Sequence, residues 1–156
     1  MNNKPSLSVI IPIYNEERTV VKLLNSLSVI IEYCNMEVIV IDDGSTDTTN
    51  KKLKENKKLY HKLISLKKNK GKGKAVIEGL KLATSDYIVF QDADLEYSPH
   101  DLIFFIDKIK SNDADLIMGS RFIGNQRSVL HFWHMLGNKF ITIIFNLLNN
   151  TTFSDI

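Results

Sequence analysis

Short apolar, largely β-branched runs alternate along this chain with segments whose apolar residues recur at helical spacing. The runs Leu7 to Tyr14, Glu37 to Ile41, Leu63 to Leu66, Tyr87 to Phe90 and Leu116 to Met118 have strand length and end in turn residues. Between them the periodicity predicts helices over about Glu16 to Cys34, Thr46 to Lys57, Lys72 to Ala83 and Pro99 to Lys110. Ser98 stands as the N-cap of the last, with Pro99 at its first helical position. Strands apolar on both faces, each followed by a helix, predict an α/β fold: a mostly parallel, Rossmann-like sheet with helices on both faces.

From Ser128 to Asn149 the pattern is helical and strongly apolar. His131, His134, Asn138 and Lys139 interrupt it within the roughly 20 residues that a bilayer crossing requires, so a packed or interfacial helix is expected. Trp133 belongs to its packing, and two histidines three apart without a third ligand nearby are read as core or rim residues.

Composition adds few constraints. A chain of 156 residues that is 44% hydrophobic can bury one sizeable core, so a single domain over 1–156 is expected. A formal net charge of +2 is too small to argue for nucleic acid, although the lysines crowded between Lys51 and Lys74 ask for a local explanation. Cys34 is the only cysteine, and Met1 to Pro5 leads into a run of strand length without signal-peptide architecture. A cytoplasmic setting is therefore expected.

Ligands of open parallel sheets bind beyond the carboxyl ends of the strands, and there the loops are polar one after another. The first strand is followed by Asn15-Glu16-Glu17, the second by Asp42-Asp43-Gly44-Ser45-Thr46-Asp47, and the third by Asn69-Lys70-Gly71-Lys72-Gly73-Lys74. Asp92-Ala93-Asp94 follows the fourth and Gly119-Ser120-Arg121 the fifth. Two carboxylates spaced i, i+2 at a strand end can hold a hard divalent cation, magnesium or manganese, which would bind a diphosphate. Taken alone, such a pair is also a common way to decorate a turn.

Asp42 and Asp43 can accept hydrogen bonds from ribose hydroxyls or a base N–H, while Gly44 relieves the turn and Ser45 or Thr46 caps the next helix. The glycine-lysine loop, including Gly71 and Lys74, offers backbone N–H groups and ammonium groups to an anion, without Walker spacing. Arg121 can pair with phosphate or with the acidic cluster.

Together and in this order these residues resemble the inverting, family-2 glycosyltransferases of GT-A fold, particularly the dolichyl- and polyprenyl-phosphate sugar synthases. The resemblance rests on Val9 to Glu16, the Asp42-Asp43-Gly44-Ser45 turn, Gly71-Lys72-Gly73, Gln91 to Glu96 and Gly119-Ser120-Arg121-Phe122. It implies that Pro12, Tyr14 and Glu16 line a nucleotide pocket, that Asp42 contacts base or ribose, and that Asp92 and Asp94 hold metal and diphosphate, with Arg121 near the phosphates. Asp155, in Thr151 to Ile156, would be a base or an acceptor-positioning group. The resemblance further implies transfer of a hexose from a nucleoside diphosphate sugar to a polyprenyl phosphate or a saccharide. Family members continue past this aspartate, so the acceptor side is expected to be incomplete and the apolar helix to lose cover, leaving a patch that invites a membrane, a partner or aggregation; the setting expected is the cytoplasm or the cytoplasmic face of a membrane. Two other classes are compatible with parts of the pattern: a non-catalytic nucleotide-sugar-binding or partner-binding fragment, and a phospho-receiver domain. The glycine-lysine loop and the second acidic pair argue against the latter.

Overall fold

The computed structural model describes residues 7–111, 117, 132–150 and 152. It divides into two compact units, Met1–Asp113 and Ala114–Ile156. In the first, four strands form one parallel sheet: β1 (Leu7–Ile13), β2 (Met36–Asp42), β3 (Lys62–Ser65) and β4 (Tyr87–Phe90), in the order β3-β2-β1-β4. The helices between and after them are α1 (Val20–Cys34), α2 (Thr49–Glu55), α3 (Lys72–Leu80) and α4 (Leu102–Ser111). Short 3₁₀ turns occupy Lys57–Leu59 and Pro99–Asp101.

Strand alternation divides the core between the two faces of the sheet. Leu7, Val9, Ile11 and Ile13 of β1 join Met36, Val38 and Val40 of β2 in a larger cluster with Leu23, Leu24 and Leu27 of α1 and Ile106 of α4. The residues between them, Ile10, Ile39 and Ile41, pack with Ala75 of α3 on the other face. The helices thus cover both faces, as the doubly apolar strands predict. β4 is the partial exception, because Tyr87 and Val89 pack against the larger cluster while Ile88 and Phe90 are exposed.

Close packing is tightest at Gly79, where an added Cβ would meet Ile10 Cγ2 at 2.5 Å and Ile41 Cδ1 at 2.7 Å. Opposite the carboxyl edge, Glu37 is buried and fully engaged. It accepts from Ser8 Oγ at 2.6 Å, Lys62 Nζ at 2.9 Å, and both the backbone N–H and the hydroxyl of Thr84.

The four described strands begin and end within a residue of their expected bounds, but the helices between them start or stop elsewhere. α1 begins at Val20 rather than Glu16, because Asn15 adopts a left-handed φ of 57° and the N–H of Glu17 is held by Asp47 Oδ2. α2 begins at Thr49 rather than Thr46, and its cap is neither Ser45 nor Thr46. Those two are engaged by Asn15, and Asp47 Oδ1 accepts the Thr49 N–H at 2.9 Å instead. α3 ends at Leu80 instead of Ala83. Ser98 does cap as expected, accepting from His100 N, but the turn it opens is 3₁₀ before α4 takes over.

In the second unit, α5 (Phe132–Asn149) occupies most of the helical stretch expected over 128–149, and Phe140, Ile143, Leu147 and Leu148 are exposed on it. No helix among the described residues is long and apolar enough to cross a membrane. The expected fifth strand at Leu116–Met118 (residue 117 apart), His131, Arg121 and Asp155 lie outside the described residues.

Candidate functional site

The carboxyl edge of the sheet opens into a cleft of about 330 Å³. β1 and the loop after it contribute Pro12, Ile13, Tyr14 and Glu16, and the loop after β2 contributes Asp43. Asn69, Lys72 and Ala75 come from the loop after β3 and from α3, and Asp92, Ala93 and Asp94 from the loop after β4. Four strand-end loops and one helix start, distant in sequence, are thus brought to one place by parallel pairing. Pro12 fits within β1 because it lies beyond Ile10, the last residue registered with β4, so its missing N–H costs the sheet no bond there.

The loops are fastened to one another before any ligand is considered. The Asn15 N–H donates to Ser45 Oγ at 3.0 Å, and Asn15 Oδ1 accepts from Thr46 N at 2.8 Å. Glu17 Oε2 accepts from Thr48 N and Thr48 Oγ1, and these hydroxyl and backbone bonds hold its carboxyl below the usual range. Burial works to raise the Asp47 carboxyl, but its bonds with Thr49 outweigh this and leave it lowered.

Asp43 is buried, and its two oxygens accept the backbone N–H groups of Lys70 and Gly71 at 2.9 and 2.8 Å. Gly71 takes φ of 87° as it leads into α3. Gly44, at φ of 71°, lets the β2 turn approach the same loop. A Cβ there would stand 2.5 Å from the Lys68 carbonyl carbon and 2.7 Å from Asn69 N.

At the acidic pair, Asp92 Oδ1 lies 2.6 Å from Lys72 Nζ, while Asp94 Oδ1 accepts the Glu96 N–H at 3.0 Å, closing a turn in which Leu95 has φ of 67°. Gln91, buried behind them, donates to the carbonyls of Asp92 and Tyr97. The pair presents hard carboxylate oxygens, the donor type that suits magnesium or manganese. Among the described residues no group of three histidine, cysteine, aspartate or glutamate side chains is placed to hold a metal.

Of the residues singled out in the sequence, Pro12, Tyr14, Glu16, Asp43, Asp92, Ala93 and Asp94 meet at this cleft. Asp42 is buried behind it, accepting from Ser45 N at 2.9 Å and Asn50 Nδ2 at 2.6 Å. Lys74 points instead to Glu78, 2.7 Å away, an i, i+4 pair visible in the sequence. Lys74 and Lys81 together draw the Glu78 carboxyl down to about 2. The lysine that does line the cleft is Lys72, with Asn69 beside it, and neither stood out from its loop by spacing alone.

Fold and cleft together define a parallel α/β domain with an acidic and basic pocket at the carboxyl edge, the place where such sheets take nucleotides. The chain belongs to glycosyl transferase family 2, which it matches over residues 8–155. Dolichol-phosphate mannosyltransferase of Pyrococcus furiosus is 39% identical over 118 residues, 75% of this chain and 33% of that protein. Poly-beta-1,6-N-acetyl-D-glucosamine synthase of Staphylococcus epidermidis is 34% identical over 126 residues, 80% of this chain and 30% of that one. The crystal structure of S. aureus TarS 1-349 in complex with UDP-GlcNAc matches with a TM-score of 0.60 at 27% identity, covering 76% of this chain and 38% of that one. Glucosyl-3-phosphoglycerate synthase from Mycobacterium tuberculosis, in complex with Mn2+, UDP and glucosyl-3-phosphoglycerate, matches at 0.58 and 25%, covering 70% and 41%. The first three curated relatives are matched over 33%, 50% and 20% of their own lengths, so this chain spans at most half of them.

Proposed function

We propose that the cleft is the donor site of an inverting hexosyltransferase that takes a nucleoside diphosphate sugar and serves a polyprenyl phosphate or saccharide acceptor. The observation that carries this reading is the placement of Asp92 and Asp94 with Lys72, Tyr14 and Glu16 around one cleft at the carboxyl edge. The nucleotide complexes of TarS and of the mycobacterial synthase support the donor class, and the Mn2+ of the latter supports a divalent cation. The name of the Pyrococcus relative supports a lipid-phosphate acceptor.

Asp92 and Asp94 would hold the ion, magnesium or manganese, which when bound neutralises charge that develops on the departing diphosphate. The remaining work falls to this chain's own groups. Tyr14, exposed at the mouth, offers a ring face and a hydroxyl to the nucleoside, and Glu16 and Asn69 offer polar contacts beside it. The loops are already tied together through Asn15, Asp43 and Glu17, so little ordering remains to be done on binding, which favours electrostatic stabilisation of a fixed geometry. The family's pattern assigns Arg121 a role with the phosphates and Asp155 a role with the acceptor. An ionised phosphate acceptor would ask little of Asp155 as a base and more of it in alignment. We further place the enzyme at the cytoplasmic face of a membrane, with the exposed apolar residues of α5 at the lipid surface.

Calorimetric titration of uridine and guanosine diphosphates, with and without manganese, tests the donor site. Metal-dependent binding that disappears in the Asp92→Ala, Asp94→Ala double variant is expected. A folded parent that binds neither nucleotide refutes the reading, and binding without hexose transfer to any acceptor would instead mark a nucleotide-sugar-binding module.

A further inference from the structure

Asp92 and Asp94 are not in equivalent states. Asp94 has one oxygen engaged by a backbone N–H within its own turn, an arrangement that orients the carboxylate and leaves its charge uncompensated by any side chain among the ion pairs described. Asp92 Oδ1 carries an ammonium at 2.6 Å, from a lysine that begins α3 on the opposite wall of the cleft. Lys72 is 63% exposed at its side chain and Asp92 35%, so the pair can open without dismantling any packing. An ammonium and a divalent cation on one carboxylate repel each other at contact distance, so the two compete for Asp92.

We infer that Lys72 is an exchangeable counter-ion for the cation-binding pair. It covers Asp92 when the cleft is empty, and is released by the incoming cation to face the diphosphate that arrives with it. This inference rests on the donor-site reading above. Its consequence is coupling. A cation binding alone weakens the Lys72–Asp92 contact by repulsion and leaves the ammonium poorly compensated, whereas a cation binding with a diphosphate gives that ammonium a new partner. The nucleotide therefore strengthens cation binding, and by thermodynamic reciprocity the cation strengthens nucleotide binding by the same factor. The other loop lysines cannot serve in this way. Lys74 is held by Glu78, and Lys70 is not among the residues that line the cleft.

The test is manganese binding to the full chain without nucleotide, followed by the paramagnetic resonance of the free ion, in the parent, Lys72→Met and Lys70→Met. Lys70→Met removes the same charge from the same loop and so reports the background effect of charge alone. Lys72→Met should bind manganese roughly two- to fivefold tighter than the parent, the scale of a lost exposed ion pair, and Lys70→Met should change it by less than about 1.5-fold. In calorimetry the factor by which manganese strengthens binding of uridine or guanosine diphosphate should shrink in Lys72→Met and persist in Lys70→Met. Equal manganese affinities in the two variants, or an undiminished coupling factor in Lys72→Met, overturn the exchange while leaving the donor site standing. A parent that binds no nucleotide with manganese removes the donor site, and the exchange with it.

Discussion

The carboxylate of Asp43 accepts the backbone N–H of Gly71 at 2.8 Å, so an acidic side chain at the end of β2 shapes the glycine-lysine loop that precedes α3. With its other oxygen on Lys70 N, both acceptors are spent on the loop from a buried position. Asp43→Asn turns one of those oxygens into a donor aimed at an N–H. The variant should lose about 1–3 kcal/mol of stability, and its nucleotide affinity should fall with it. Urea unfolding and calorimetry measure the two effects. Unchanged stability would mean that the loop holds its shape without Asp43.

Gly44→Ala should be more damaging than its size suggests. It places a methyl group against the Lys68 and Asn69 backbone and does so at φ of 71°, where an L residue is strained. The backbone strain alone is about 1 kcal/mol, and the contact forces the two loops apart. A drop in the thermal midpoint together with weakened nucleotide binding is expected. A variant that loses only stability would separate the turn from the site.

At Gly79 two effects oppose each other. Alanine is the better helix former by about 1 kcal/mol, yet its methyl would overlap the side chains of Ile10 and Ile41 in the smaller core cluster. Overpacking of a dense core costs typically 1–3 kcal/mol, so net destabilisation of Gly79→Ala by about 1–2 kcal/mol is expected from chemical denaturation. A stabilised variant would show that α3 can shift away from the sheet at no cost.

Burial works to raise the Glu37 carboxyl, but the hydrogen bonds from Ser8, Lys62 and Thr84 outweigh it and bring it to about 2 from an ordinary 4.5. A depressed folded-state value means that the unfolded chain takes up the proton first. The stabilisation is therefore complete above about pH 4.5 and is lost as pH falls toward 2. The stability gap between the parent and Glu37→Gln, read from urea midpoints at pH 7, 4 and 3, should narrow across that window. A gap independent of pH would mean that the charge on Glu37 contributes nothing.

The strands were legible because β-branched runs bounded by turn residues leave little choice of register, and Tyr87–Phe90 is found as read. Helix starts were less legible, because Asn15, Ser45 and Thr46 bond across loops some thirty residues apart in sequence and so are not available to begin helices. Within the site, the acidic pair announced itself by following an apolar strand directly. The part of Lys72 did not, since five residues of alternating lysine and glycine look alike until a partner is known. Glu78, four residues after Lys74, was the available clue that this lysine is taken.

Leu7 registers with Tyr87 on one side and Met36 on the other, so the middle strand of the site is the first to be made and its last neighbour comes some eighty residues later. Parallel pairing over such separations is slow, because the closure entropy of the intervening chain is spent before the contacts form. During synthesis, then, Tyr14 has no cleft to line until Asp94 has emerged and β4 has paired with β1, and on the donor-site reading the nascent protein should gain nucleotide binding only from that point. Nucleotide capture by stalled chains of increasing length would time the completion of the fold.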